Sequence, residues 1–344
     1  MKLGVSLGYW GGQPPRGLNE MVAGAIEHGY ESIWTSEAYG SDALTPLAWQ
    51  GARNPGARLG TAVMQMSART PTATAMAAIT MDHLSGGNFV LGIGASGPQV
   101  VEGWYGRPYP RPLERTREYV AILRQALARE DVQFEGRHYQ IPLPEGEGAG
   151  LGKPLHSTVH PRRADLPILL AAEGPKNVAL AAEIADGWIP LFYAPQDDAA
   201  SRERLAEGFA RRADDDPRSV DDFEVTCPVQ VVLDDDLEAA ADKLRPMIAL
   251  YVGGMGAKGA NFHAEAMARL GFEAECAAIQ DAYLDGRRQE AIAAVTTDMV
   301  DAIALIGPSG RIAERFEPWR ESLVTTMLVT GDMRSMTAIA RLNQ

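Results

Sequence analysis

The sequence predicts the α/β class, a single (β/α)8 barrel with insertions, and three observations carry that expectation. Eight short apolar runs recur along the 344 residues, helical periodicity follows most of them, and no break in composition marks a boundary between domains. Parallel strands joined by right-handed crossovers close most economically as an eight-stranded barrel, with a doubly wound sheet as the runner-up. A chain of 344 residues also admits two ordinary domains. The uninterrupted alternation favours one enlarged barrel over 1–344, with excursions at about 132–166 and 234–300.

Leu3 to Leu7 reads as the first strand, and Leu18 to His28 as a helix with Met21, Val22, Ala25 and Ile26 on one face and Gly29 as its stop. Ser32 to Thr35 is a second strand, and Arg58 to Met64 a third, reached through a stretch holding Pro46 and Pro55. Thr70 then caps a helix whose first position is Pro71, where the missing N–H does no harm, and Ser85-Gly86-Gly87 ends it. Phe89 to Ile93 is the fourth strand, followed by a Gly- and Pro-rich loop and a helix from Arg115 to Arg129. Between Val132 and Leu166, prolines and glycines such as Pro142, Pro144, Gly146, Gly148 and Pro154 suppress any period, so this reads as an excursion or a linker. Pro167 to Ala171 and Trp188 to Phe192 are strands around a helix at Pro175 to Ile184. Val225 to Leu233 is the longest strand. Helical segments follow at Leu237 to Leu250, Phe262 to Leu270, Glu275 to Leu284 and Gln289 to Ala294, then a helix at Ser309 to Trp319 and a last strand near Thr325 to Val329.

A chain 46% hydrophobic and 22% charged has the balance of a folded globular protein, which excludes the disordered and fibrous classes. Its net charge of -13 repels a phosphate backbone, and no basic stripe offsets it, so nucleic acid is not an expected partner. Cys227 and Cys276 stand far apart with no partner spacing, which supports neither a disulfide framework nor a zinc site. The first residues lack the apolar length of a signal peptide, and no run approaches a membrane span, so the expected setting is cytoplasmic and free of membrane.

Gly92-Ile93-Gly94-Ala95-Ser96-Gly97 matches the dinucleotide fingerprint, but Gly97 leads to Pro98 rather than into a long helix. A Gly-rich loop at the C-terminal end of a barrel strand, open to a flat ligand, accounts for it better. Glu173-Gly174-Pro175-Lys176-Asn177 joins a strand to a helix start, and the residues alone leave two readings open: a phosphate site at a helix N-terminus, or an ordinary turn. Glu37 lies just past the second strand, where barrels place their chemistry, and is either a functional carboxylate or a solvated one. His263 follows a Gly-rich segment that is either a loop over a site or a plain connector. His156 and His160 are bracketed by prolines, and no other histidine spacing suits a metal, so none is expected. With no nucleophile elbow, P-loop or H-E-x-x-H, the hard chemistry falls to a cofactor.

Several stretches, read together, are familiar. Leu59-Gly60-Thr61-Ala62-Val63, Asp82 to Gly87 leading into Leu91-Gly92-Ile93-Gly94, Glu102 to Gly106, Ala172 to Lys176 and Ala185 to Trp188 resemble, in order, the bacterial luciferase-like monooxygenase superfamily, in its branch that uses the deazaflavin coenzyme F420. The resemblance implies a TIM barrel with the coenzyme across its C-terminal mouth and hydride transfer to or from an organic substrate. It implies a non-prolyl cis peptide at Ala62-Val63 behind the deazaflavin ring, coenzyme contacts from Gly94, Ala95 and Ser96, and a phosphate loop at Glu173, Gly174, Pro175, Lys176 and Asn177. Glu37 is the candidate for ring contact or proton handling, and Tyr9, Trp10 and Ser96 for the substrate side. The sugar-phosphate dehydrogenase of this branch has an Asp-His pair after its second strand, where this chain has Glu37-Ala38, and a Glu after its fourth, where this chain has Ala95-Ser96-Gly97. Its acid and base are therefore not carried over. The rival expectations are an FMN-dependent monooxygenase and a non-catalytic F420 carrier, and family habit implies a homodimer.

Overall fold

Eight parallel strands close on themselves. They are Lys2–Ser6 (β1), Ser32–Thr35 (β2), Arg58–Thr61 (β3), Phe89–Gly94 (β4), Ile168–Ala171 (β5), Gly187–Ile189 (β6), Glu224–Leu233 (β7) and Thr326–Thr330 (β8). Each pairs with the next, and β8 returns to β1 with Leu3 beside Met327. The computed structural model describes residues 1–214, 216, 218, 221–256, 258–259 and 261–344. Leu18–Glu27 (α1), Leu44–Arg53 (α2), Pro71–Leu84 (α3), Pro112–Leu127 (α4), Pro175–Ile184 (α5) and Asp198–Phe209 (α6) fill the first six crossovers. Short helical segments between Leu237 and Ile303, then Ser309–Glu321 (α7), lead from β7 to β8, and Met333–Leu342 (α8) follows.

The eight strands read from the sequence are the eight of the ring. The differences lie between them. The third strand stops at Thr61, and a short strand at Met64–Gln65 pairs with Ile93–Gly94; the Ala62–Val63 bond between them is cis. The sixth strand ends at Ile189, short of Phe192. The proline-bearing stretch after β2 contains α2, with Pro46 in its first turn, where no N–H is needed for the helix ladder. Helices α6 and α8 and a strand at Ala304–Gly307, which extends the sheet beside Gln230–Leu233, also escaped the periodicity reading. That strand follows the helix Thr297–Ile303 with no turn residue between them, so the sequence carries no punctuation there. Within the 132–166 stretch a small antiparallel hairpin joins Phe134–Glu135 to Gln140–Ile141. The 234–300 stretch contains Ala257 and Ala260, which lie outside the described residues.

The barrel interior is filled by Trp34, Val90, Leu169, Ile189 and Leu328, with Ala62 and Val63 against them. Trp34 fits because its neighbours have no side chains. A Cβ on Gly60 would stand 2.3 Å from its ring, and one on Gly4 would stand 2.9 Å from its indole nitrogen. At the N-terminal end the Arg58 guanidinium lies 5.8 Å from the Trp34 ring centre and donates to Glu224 at 2.7 Å, while Thr326 and Thr226 also donate to that carboxylate. Burial raises the Glu224 pKa, but Arg58 and the two hydroxyls outweigh it and hold the group below the usual range. A part-buried ion pair thus sits at this end of the ring. The segments after β7 carry a separate apolar core around Ile248, Val252, Met267, Ile279 and Met299.

Close backbone contact at Gly92 gives a direct test of the packing. The Thr61 hydroxyl donates to its carbonyl at 2.7 Å, and an added Cβ would stand 1.8 Å from the Thr61 carbonyl oxygen. Gly92→Ala is expected to destabilise the protein by about 3 kcal/mol in urea unfolding. Gly11→Ala, where a Cβ meets nothing within 4 Å, is expected to change stability by less than about 0.5 kcal/mol.

Candidate active site

Polar groups gather at the C-terminal mouth, where the strands deliver their loops. Glu37 follows β2 and is buried, and donors from three segments converge on its carboxylate. Gln65 N–H and the Arg69 guanidinium donate to Oε1 at 2.8 and 2.7 Å, and Ala43 N–H donates to Oε2 at 3.0 Å. Its own backbone N–H donates to the Val63 carbonyl at 3.0 Å, while Ala62 N–H donates to Thr35 at 2.7 Å. The carboxylate therefore ties the end of β2 to the bulge at 62–65 and to the start of α2. Tyr119 on α4 extends the network by donating to the Arg69 carbonyl at 3.2 Å.

The floor of the mouth is apolar and close-packed. A Cβ on Gly94 would lie 2.9 Å from Val63 and 3.3 Å from Ala171, so only glycine lets the ends of β4 and β5 approach the bulge this closely. The cis bond expected at Ala62-Val63 is present. Past Gly94 and Ala95 the chain turns through Ser96 in the left-handed region, φ 61°, and the Ser96 carbonyl accepts from Tyr109 at 3.0 Å. Burial pushes the Tyr109 hydroxyl up to about 12, which keeps it a donor.

Across this floor the excursion after β7 lays a polar rim. Asn261, almost fully buried, donates to the Tyr251 and Val252 carbonyls at 2.9 and 2.8 Å and accepts from His263 and Ala264 N–H at 3.0 and 3.1 Å, capping the helix Phe262–Met267. That cap aims the His263 ring at Glu173. Nδ1 lies 2.9 Å from both carboxylate oxygens, and the Tyr251 ring meets the imidazole edge-on at 4.9 Å. Arg269 donates to the Glu173 carbonyl at 2.6 Å. Tyr9, from the loop after β1, shares a hydrogen bond with Tyr251. Burial raises both phenols, and the neighbouring Tyr39 adds to each shift. Trp10 does not join this cluster by a hydrogen bond of its side chain among the described residues; its N–H donates to Ser41, and its carbonyl stands where a Cβ on Gly40 would be, at 2.1 Å.

The turn from Glu173 to Asn177 opens α5 with Gly174 at the N-cap and Pro175 at the first position. Gly174 offers no capping side chain, Lys176 is exposed, and Asn177 donates weakly to Ala171 at 3.4 Å. Arg204 and Arg269 line a cleft with Ala172, Glu173, Trp188 and Phe192, so two further cations flank this helix start. Among the sequence candidates, then, Tyr9 and Glu173 meet in one cluster, Glu37 with Val63 forms a second beneath it, and Trp10 belongs to the wall. Arg69, Gln65, Tyr251, Asn261 and the pairing of His263 with Glu173 were not legible. Glu173 and His263 are 90 residues apart, and the Asn before Phe262 was the one local signal, as a cap.

Residues 2–326 match a family model described as luciferase-like monooxygenase. A Mycobacterium tuberculosis protein named "putative coenzyme F420-dependent oxidoreductase" is 52% identical over 333 residues, covering 96% of this chain and 95% of its own. A 5,10-methylenetetrahydromethanopterin reductase of Archaeoglobus fulgidus is 27% identical over 313 residues, covering 90% of this chain and 88% of its own. The solved structure of the coenzyme F420-dependent tetrahydromethanopterin reductase from Methanopyrus kandleri superposes with a TM-score of 0.79 at 20% identity, over 99% of this chain and 97% of that one. The last comparison bears on the fold alone.

Removing the Glu37 carboxylate would strand a guanidinium and two backbone donors in the interior. Glu37→Ala is expected to cost about 3 kcal/mol in denaturant unfolding, because unpaired buried groups forfeit their solvation without replacement. A loss under about 1 kcal/mol would be that of a surface ion pair, and the carboxylate would not be the tie described.

Proposed function

This chain belongs to the luciferase-like monooxygenase family, and on that premise we propose that it is a coenzyme F420-dependent oxidoreductase that passes hydride between the deazaflavin and an organic substrate at the mouth of the barrel. What carries the reading is the division of the mouth into an apolar, glycine-lined floor and a polar rim that can hold a proton. The Mycobacterium tuberculosis relative, named for F420, supports this coenzyme over FMN.

When bound, the deazaflavin supplies a ring carbon that accepts or gives hydride and reacts poorly with oxygen, which leaves the protein to bind, orient and exclude water. The residues present suit such a group. Gly94, packed against Val63 and Ala171, gives the floor an apolar surface on which a flat ring could rest, and the start of α5 with Lys176 offers N–H groups and positive potential to an anionic tail. Glu37 is a positioning residue, since its oxygens hold the bulge and Arg69.

His263 handles the proton. A carboxylate can only accept, so Glu173 takes the Nδ1–H of His263 and leaves Nε2 as the basic nitrogen of the pair. Tyr251 and Phe192 meet the imidazole edge-on, with centroids 4.9 and 5.9 Å away, and touch each other at 5.9 Å. In alcohol oxidation the substrate hydroxyl proton passes to Nε2, and in carbonyl reduction it returns from there. Tyr9, bonded to Tyr251 in the same cluster, shapes the substrate side.

Titration of the purified protein with oxidised F420 is expected to quench the coenzyme fluorescence saturably. Tighter retention of FMN, with oxygen consumed on supply of reduced flavin, would replace this reading, and F420 binding with no turnover across alcohols, carbonyls and enones would reduce the protein to a carrier. His263→Ala is expected to lower kcat about 100-fold with the F420 dissociation constant unchanged. An unchanged kcat would remove His263 from the proton path.

A further inference from the structure

We propose that Glu114, Glu118 and His138 form a binding site for a zinc-class divalent cation that pins the hairpin of the 132–166 stretch onto α4. Glu114 and Glu118 are one turn apart on α4, so their carboxylates share a face. The hairpin between Phe134–Glu135 and Gln140–Ile141 lays His138 beside them. The three side chains offer ligand atoms that all lie within 4.8 Å of one another.

The observation that points to an ion is the histidine. Its side chain is 9% exposed, its Nε2 is buried, and no hydrogen bond reaches that atom. A buried ring nitrogen without a partner is costly and calls for one. Its nearest carboxylate oxygen, Glu114 Oε2, is 3.6 Å away. That is too long for a hydrogen bond, but two ligands about 2.1 Å from one tetrahedral ion lie about 3.4 Å apart. The nitrogen and the oxygen already stand close to that ligand-to-ligand spacing.

Glu118 is held ready for the same use. Arg137 N–H donates to Oε1 at 2.9 Å, and His138 and Tyr139 N–H donate to Oε2 at 2.9 and 3.0 Å. These donors hold the carboxylate in one orientation, as outer partners of metal ligands do, and leave lone-pair capacity on Oε1. Glu114 is 41% exposed and can move the remaining distance. Its present neighbours, Arg111 and Arg137 at 3.6 and 3.7 Å, are more than half exposed and too distant to be strong competitors. One imidazole with two carboxylates suits zinc, cobalt or nickel rather than magnesium or calcium, which prefer oxygen alone. The spacing in sequence does not announce such a site, because two ligands lie on a helix and the third on a hairpin twenty residues further on.

The test is calorimetric titration of full-length, tag-free, EDTA-dialysed protein with Zn²⁺, with Mg²⁺ and Ca²⁺ as separate arms. One Zn²⁺ per chain is expected. His138→Ala and Glu114→Ala are each expected to weaken it about 100-fold while keeping the metal-free circular dichroism of the wild type. Zn²⁺ is expected to raise the Tm of the wild type and not that of His138→Ala. Failure to saturate, equal affinity in both variants, or equal uptake of Mg²⁺ or Ca²⁺ would each overturn the assignment. If instead His138 is found protonated and paired with Glu114 with no zinc taken up, the orphan nitrogen serves an ion pair and the proposal fails.

Discussion

The mouth of this barrel depends on one buried carboxylate. Glu37 sits just past the end of β2, and the three donors on its oxygens come from the start of α2, from the bulge and from the approach to α3. A carboxylate placed out of water is tolerated only when paired and hydrogen-bonded, so each of these segments is obliged to be where it is. The bulge, the glycine floor beside it and the position of Arg69 follow from that obligation. Through the Arg69 carbonyl the same tie reaches Tyr119 on α4, whose ring meets Tyr139 of the hairpin edge-on at 5.9 Å. The site is therefore braced from outside the ring of strands as well as from within.

The interior below is filled by side chains. Trp34 occupies the space that Gly4 and Gly60 vacate, and the Arg58 and Glu224 pair closes the N-terminal side. A barrel filled in this way is a packed core rather than a channel. Function has to be assembled from loops at the open end, and the excursion after β7 supplies what the ring lacks. Asn261 is central there, because one amide fixes both the turn at Tyr251 and the helix start that carries His263.

Charge is distributed to match. The chain is acidic overall, at -13, yet Lys176, Arg204 and Arg269 stand around the start of α5, where a helix N-terminus adds its own positive end. An acidic protein can hold an anionic ligand only by such local concentration of positive potential. Two carboxylates lie among these cations: Glu173 faces His263 while its carbonyl accepts from Arg269, and Asp197 pairs with Arg204 at 2.7 Å.

What the sequence by itself determined is the set of elements that depend on neighbours in the chain. The eight apolar runs, the Thr70-Pro71 helix start and the glycine stops are local signals, and each marks an element of the structure, although the third and sixth strands end earlier than their apolar runs. The elements that escaped it had weak or misleading local marks, as with Pro46 inside the first turn of α2 and the strand at Ala304–Gly307 that follows a helix without punctuation. The site divides the same way. Glu37 and the turn at Glu173 could be picked out because they follow strands, but their partners could not. That Glu37 is an anchor, that Glu173 faces His263 and that Tyr9 meets Tyr251 were decided only by the tertiary structure, because closing the barrel brings together side chains whose separation in sequence carries no periodic signal.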